Sequence, residues 1–143
     1  MVFFHKNHLH IIEIKYINEK IVYNKILDVF KKRKFDEFFI IDNNHFIVLN
    51  EYDDDKICII DDKFNIINKS TITNYSYVNF INELLLIQSE NIFYIYKIVN
   101  NSFLEIFKLE DVKVDAAYIL SDGGLVIEEE NKFYFYSIKN KIN

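Results

Sequence analysis

Ala116-Ala117-Tyr118-Ile119-Leu120, Ser121-Asp122-Gly123-Gly124, Leu125-Val126-Ile127-Glu128, Glu129-Glu130-Asn131-Lys132 and Phe133-Tyr134-Phe135-Tyr136-Ser137-Ile138 follow one another without a break. They read as strand, tight turn, strand, polar tip and strand. Asp122-Gly123 supplies the backbone freedom that a short hairpin needs, and the flanking runs are rich in β-branched and aromatic residues.

The same phrase recurs upstream. An apolar triplet stands behind a turn-like pair four times: Leu9-His10-Ile11 after Asn7-His8, Phe46-Ile47-Val48 after Asn44-His45, Leu84-Leu85-Leu86 after Asn82-Glu83, and Leu125-Val126-Ile127 after Gly123-Gly124. Successive triplets start 37, 38 and 41 residues apart. In phase behind each comes a second run: Ile21-Val22-Tyr23, Ile57-Cys58-Ile59-Ile60, Phe93-Tyr94-Ile95-Tyr96 and Phe133-Tyr134-Phe135-Tyr136. A period near 40 residues marks a repeated β unit of about four short strands. The expected repeats are approximately 1–34, 35–73, 74–110 and 111–143 of a single β-repeat domain. Leu84 to Ile87 is apolar at every position, as expected of a strand in a sheet covered on both faces.

The chain resembles a β-propeller at the level of the blade. It carries neither the Gly-His and Trp-Asp signatures of WD40 blades nor, outside Gly123-Gly124, the paired glycine of kelch blades, so no family function comes with the likeness. The resemblance implies an all-β fold of about four propeller-like repeats, each of three to four antiparallel strands. The fourth repeat lacks an outer strand, because only Lys139 to Asn143 follow Ile138. The array either closes within the chain or is completed by a second copy, a homodimer, or by a larger protein. An α+β alternative places a helix near 18–34. There Val22, Ile26, Val29 and Phe30 fall near a 3.6-residue spacing, Asn18 is a candidate cap, and Lys31 to Lys34 would complement the terminal dipole.

The 143 residues are half apolar and 17% aromatic, enough for one packed domain and too apolar for a disordered chain. No apolar run approaches the ~20 residues of a membrane helix, and the start shows no secretory leader pattern, so the expected location is the cytoplasm of a cell or infected host. The single cysteine, Cys58, sits in an apolar run as a buried, inert thiol. Two glycines, no proline and no tryptophan beside abundant Ile, Asn and Lys reflect an AT-rich coding bias.

Catalytic patterns are missing. There is no phosphate-cradling glycine loop, no Gly-x-Ser-x-Gly elbow and no His-Glu-x-x-His pair. The expectation is a protein that is not an enzyme, with no cofactor and no metal. His8 and His10 would project to one face of a strand near His5, but the sequence around them supplies no further ligand before Glu13. Asp53, Asp54 and Asp55 lack the alternating ligands and central glycine of a calcium loop.

Function therefore falls to the surface. The net charge of −5 disfavours broad nucleic-acid binding and favours basic partners. The leading expectation is a non-catalytic protein–protein interaction module, in narrower form a small acidic inhibitor of a larger protein or nucleoprotein machine, of phage anti-defence or immunity type. A nucleic-acid-binding module using the basic run Lys31, Lys32, Arg33 and Lys34 is the alternative, and a structural subunit of a larger assembly the second. Candidate contact residues are that basic run together with Asp53, Asp54, Asp55, Glu128, Glu129 and Glu130. Any tyrosine that reaches the surface would serve as an anchor.

Overall fold

The computed structural model describes the backbone of residues 2–5, 8–18, 20–30, 37–50 and 56–142, and the side chains of 17, 18, 20, 21, 37–49 and 56–142. The chain is all-β. Among the described residues fourteen strands form four antiparallel sheets, numbered here I to IV in chain order, and one short helix follows the fourteenth.

Sheet I consists of β1 (Val2–His5), β2 (His8–Ile17) and β3 (Lys20–Phe30). Sheet II holds β4 (Glu37–Ile40), β5 (His45–Asn50), β6 (Lys56–Asp61) and β7 (Ile66–Lys69). Sheet III holds β8 (Tyr75–Ile81), β9 (Leu84–Ser89), β10 (Ile92–Val99) and β11 (Ser102–Glu110). Sheet IV holds β12 (Ala116–Ile119), β13 (Gly124–Glu129) and β14 (Lys132–Ser137). In each sheet the strands lie side by side in chain order. Strands that follow one another within a sheet are thus antiparallel neighbours. After β14 the chain turns into α1 (Lys139–Ile142) instead of adding a fourth strand.

The helix considered for 18–34 does not form where the chain is described. Lys20–Phe30 is β3, paired along its length with β2, and Asn18 is a left-handed turn residue at φ 48° instead of a helix cap. Helical spacing in one segment is a weak local preference. A ladder of backbone hydrogen bonds with a neighbouring β-rich segment overrides it.

With so few glycines, the hairpins turn on asparagine and glutamate. Asn82 (φ 51°) with Glu83 (φ 65°), Asn100 (49°) with Asn101 (58°), and Glu130 (47°) with Asn131 (62°) are pairs of left-handed residues, the conformation whose twist matches paired strands. Side chains close other turns. The Asp42 carboxylate accepts from the backbone N–H of Asn44 (2.8 Å) and His45 (2.9 Å), and Asp61 accepts from Lys63 N–H (2.9 Å), Asn65 N–H (2.8 Å) and Asn65 Nδ2 (2.8 Å). The Asn65 side-chain bond leads in holding the exposed Asp61 carboxyl below the ordinary 3.8.

The core lies between sheets. Ile47, Leu49, Ile57 and Ile59 of sheet II pack with Leu85 and Ile87 of sheet III, and Phe39 meets Phe80 with ring centroids 6.2 Å apart. The opposite face of sheet III, with Leu84, Leu86, Phe93 and Ile95, packs with Ala117, Leu125 and Ile127 of sheet IV, and Phe107 meets Tyr136 edge-on at 5.9 Å. Sheet III is therefore covered on both faces, and Leu84 to Ile87 are all buried. Each of these sheets can be given a leading face, turned toward the next sheet in the chain, and a trailing face. On the trailing side of sheet II, Phe46, Val48, Cys58 and Ile60 form a third buried cluster.

The faces correct the register implied by the triplets. Phe46 and Leu125 open their triplets on trailing faces, whereas Leu84 opens its own on a leading face. The copies are out of step by one residue, and in a strand one residue exchanges the faces.

Candidate interaction surface

The leading face of sheet IV, on the side away from sheet III, carries exposed aromatic side chains. Tyr118 pairs across to Val126, and Val126 to Phe135, so three side chains form one row on that face. In the neighbouring row Ala116 pairs with Glu128, and Glu128 with Phe133. Exposure is 48% for Tyr118, 56% for Phe133 and 75% for Phe135, while Val126 between its two aromatic neighbours is buried. Aromatic side chains offer some 150–250 Å² each, so these three leave about 350 Å² of apolar surface in water, comparable to the largest patch on an ordinary monomer. On sheets II and III the central strands of the equivalent faces, with Ile47, Leu49, Ile57 and Ile59 or Leu84, Leu86, Phe93 and Ile95, are buried.

The backbone under this surface is firmly held. Asp115 N–H donates to Glu128 O (2.9 Å), and Glu130 N–H donates to Asp115 Oδ2 (2.8 Å). Glu129 Oε1 accepts from Lys113 N–H at 2.9 Å. Of the three glutamates singled out in the sequence, Glu129 thus anchors the approach to β12. Glu128 lies on the open face, and Glu130 is exposed at the hairpin tip. Lys31, Lys32, Arg33, Lys34, Asp53, Asp54 and Asp55 lie outside the described residues, as do the side chains of His5, His8 and His10. What the sequence reading missed is the face itself. Tyr118 and Phe135 alternate with core residues, and alternation alone does not say which side has a neighbour.

Gln88 fastens sheet III to the segment leading into sheet IV. It is fully buried, and its Nε2 donates to Glu90 O (2.7 Å) and Val112 O (2.9 Å) while its Oε1 accepts from Val114 N–H (3.3 Å). Tyr77 Oη adds a bond to Ala117 O at 3.4 Å, and Lys97 Nζ donates to Ile142 O at 2.7 Å. Lys141 lies 5.4 Å above the Phe107 ring.

A polar cleft of about 420 Å³ opens beside β10 and β11, lined in part by Thr71, Tyr94, Tyr96, Glu105 and Lys108. On its wall Lys108 Nζ pairs with Glu110 at 2.6 Å. Burial, reinforced by the Glu105 charge, pushes the Tyr96 phenol up to about 12. Among the described residues no group of His, Cys, Asp or Glu is arranged to hold a metal ion, and no helix is long and apolar enough to cross a membrane.

No family model and no curated protein matches the chain. Among solved structures it is similar to Kluyveromyces lactis Hsv2, with a TM-score of 0.55 and 15% identity over 87% of this chain. The match covers 36% of Hsv2, so this chain spans little more than a third of that protein. At this identity the likeness concerns the fold alone.

Proposed function

We propose that this chain is an open, propeller-like stack of sheets that works as a non-catalytic protein–protein interaction module, docking through the leading face of sheet IV. The observation that carries the reading is the exposure of Tyr118, Phe133 and Phe135 on a face whose counterparts in sheets II and III are buried. Support for the propeller-like part comes from antiparallel sheets of sequential strands stacked face to face, with the fold likeness to Hsv2 over most of the chain beside it. Among the described residues the sheets form no closed ring. Exposed tyrosine and phenylalanine with carboxylates at the margin make up the composition of a contact hot spot, with Glu128 and Glu130 favouring a partner that brings positive charge. The acidic-inhibitor reading is a narrower form of this proposal and rests on the net charge of −5.

Hydroxyl-radical footprinting in host extract, against the purified chain alone, tests it. Protection of Tyr118, Phe133 and Phe135, with exposed Leu104 on β11 unprotected, is the expected result. Equal labelling of all four in both samples would refute the docking face.

A further inference from the structure

Sheets II and III each carry a fourth strand beside the third, β7 on β6 and β11 on β10. Among the described residues β14, the third strand of sheet IV, pairs only with β13. The helix that follows does not take the fourth place, because Lys97 Nζ and the Phe107 ring hold Ile142 and Lys141 toward sheet III. The ladder fixes which backbone groups of β14 are left over. Ile138 N–H donates to Gly123 O (3.1 Å) and Leu120 N–H to Gly124 O (2.8 Å), and both bonds continue the registers of β14 on β13 and of β12 on β13. Bonded pairs alternate along an antiparallel ladder, so Lys132, Tyr134 and Tyr136 turn their backbone groups toward β13. The N–H and C=O groups of Phe133, Phe135 and Ser137 point out of the sheet edge. Other outer edges in the molecule are guarded: β7 is four residues long, β11 carries Glu105, Lys108 and Glu110, and a register shift interrupts the ladder of each. The strand β14, Lys-Phe-Tyr-Phe-Tyr-Ser, has an unbroken register, no carboxylate and one charge, at its first residue. Tyr134 shares the covered face with Ile127 and is still 38% exposed. What it lacks is a neighbour at the edge.

We infer that β14 of a second copy of this chain is the fourth strand of sheet IV, the two edges pairing antiparallel about a two-fold axis at Phe135. An axis perpendicular to the sheet keeps each face on its own side, so the two edges are self-complementary. With Phe135 opposite the partner's Phe135 and Phe133 opposite the partner's Ser137, every outward group is used: two bonds at the axis and two on each flank, six in all. A slip of two residues one way sets Ser137 against the partner's Asn131, a turn residue at φ 62°, and a slip the other way sets Phe133 against the partner's Lys139 in α1. Each slip loses bonds. In the full register Tyr134 lies beside the partner's Tyr136 on one face, and Glu130 of the hairpin tip comes level with the partner's α1, where Lys139 and Lys141 bring positive charge. The two leading faces become one, with Phe133 and Phe135 of both copies in a single apolar patch. This pairing stands without the docking reading and enlarges the face that reading uses.

A ladder over little buried area makes a reversible pair, so the wild-type chain should sediment at twice 17.3 kDa when concentrated and at 17.3 kDa when dilute. Hydrogen exchange gives the signature. The amides of Phe133, Phe135 and Ser137 should gain protection as the mass doubles, while those of Tyr134 and Tyr136 are protected at every concentration. Phe135→Pro removes an outward N–H and leaves the bonds to β13 whole, so, with an unchanged far-UV circular dichroism spectrum, it should weaken the pair at least about tenfold. Phe135→Val keeps that N–H and should weaken it less. A wild-type chain still monomeric at millimolar concentration, a pair whose three outward amides exchange as in the monomer, or equal weakening by the two variants overturns the inference. The exchange measurement decides even where the proline variant does not fold. Tyr118 lies two strands from the paired edge, so its footprint in host extract tests the docking face alone.

Discussion

Replacing Gln88 with methionine keeps the length and shape of the side chain and deletes its amide. The consequence follows from three bonds. Glu90 lies in an exposed turn, and its carbonyl regains water. Val112 and Val114 are 7% and 6% exposed, so the Val112 carbonyl and the Val114 N–H lose their partner in a dry place. A stranded buried polar group costs about 1–3 kcal/mol, so two cost about 2–6. The thioether returns about 1 kcal/mol of apolar burial, leaving a loss on the order of 3 kcal/mol. Against a total stability of about 5–15 kcal/mol that is a large fraction, and at roughly 2–4 °C per kcal/mol it lowers the melting temperature by about 10 °C. Urea unfolding gives the free energy, and hydrogen exchange gives its location, because the Val114 amide should lose protection before the central strands do. A free-energy change under about 1 kcal/mol, or a Val114 amide exchanging as in the wild type, would refute the claim that Gln88 ties sheet III to the β11–β12 connection.

Gly123 has φ +85°, and a Cβ there would stand 2.9 Å from the Lys139 backbone, so Gly123→Ala should cost about 1–3 kcal/mol in thermal or urea unfolding and free α1 from sheet IV. Glu83 sits at φ 65° in an exposed turn, where a side chain is strained, so Glu83→Gly should raise stability by about 0.5–1 kcal/mol; a loss would show that its side chain serves the turn. The Tyr96 phenol is held near 12 in the folded chain against an ordinary 10, so its contribution to stability is complete below pH 10 and disappears as pH rises through 12. Spectrophotometric titration should show one tyrosine ionising last, and Tyr96→Phe should remove that step; a titration finished by about pH 10.5 would contradict the burial of this ring.

Much of the local structure was legible in the residues. Ser121-Asp122-Gly123-Gly124 is the bend between β12 and β13, and the polar tip at Glu130-Asn131 turns β13 into β14. The apolar run Leu84 to Ile87 lies between two layers, as its composition requires. The segment 18–34 misled as an alternative because helical spacing and strand content coexist there, and pairing between β2 and β3 decided between them. The candidate site was less legible. Its acidic tip was visible as Glu128, Glu129 and Glu130, but Glu129 turned out to be spent on Lys113, and the open aromatic face was indistinguishable from core.

The turns and most of the strands can be read from the residues, because hairpin chemistry and strand alternation act between positions a few apart, while the segment 18–34 needed its pairing with β2. Which side of each strand meets a neighbour is set by packing between sheets distant in sequence. A slip of one residue separates Leu84 from Phe46 and Leu125 in facing, and whether a face is buried depends on a sheet some forty residues away. The alternation that hides Leu125 and Ile127 against sheet III is the same alternation that leaves Tyr118 and Phe135 exposed on the other side of sheet IV.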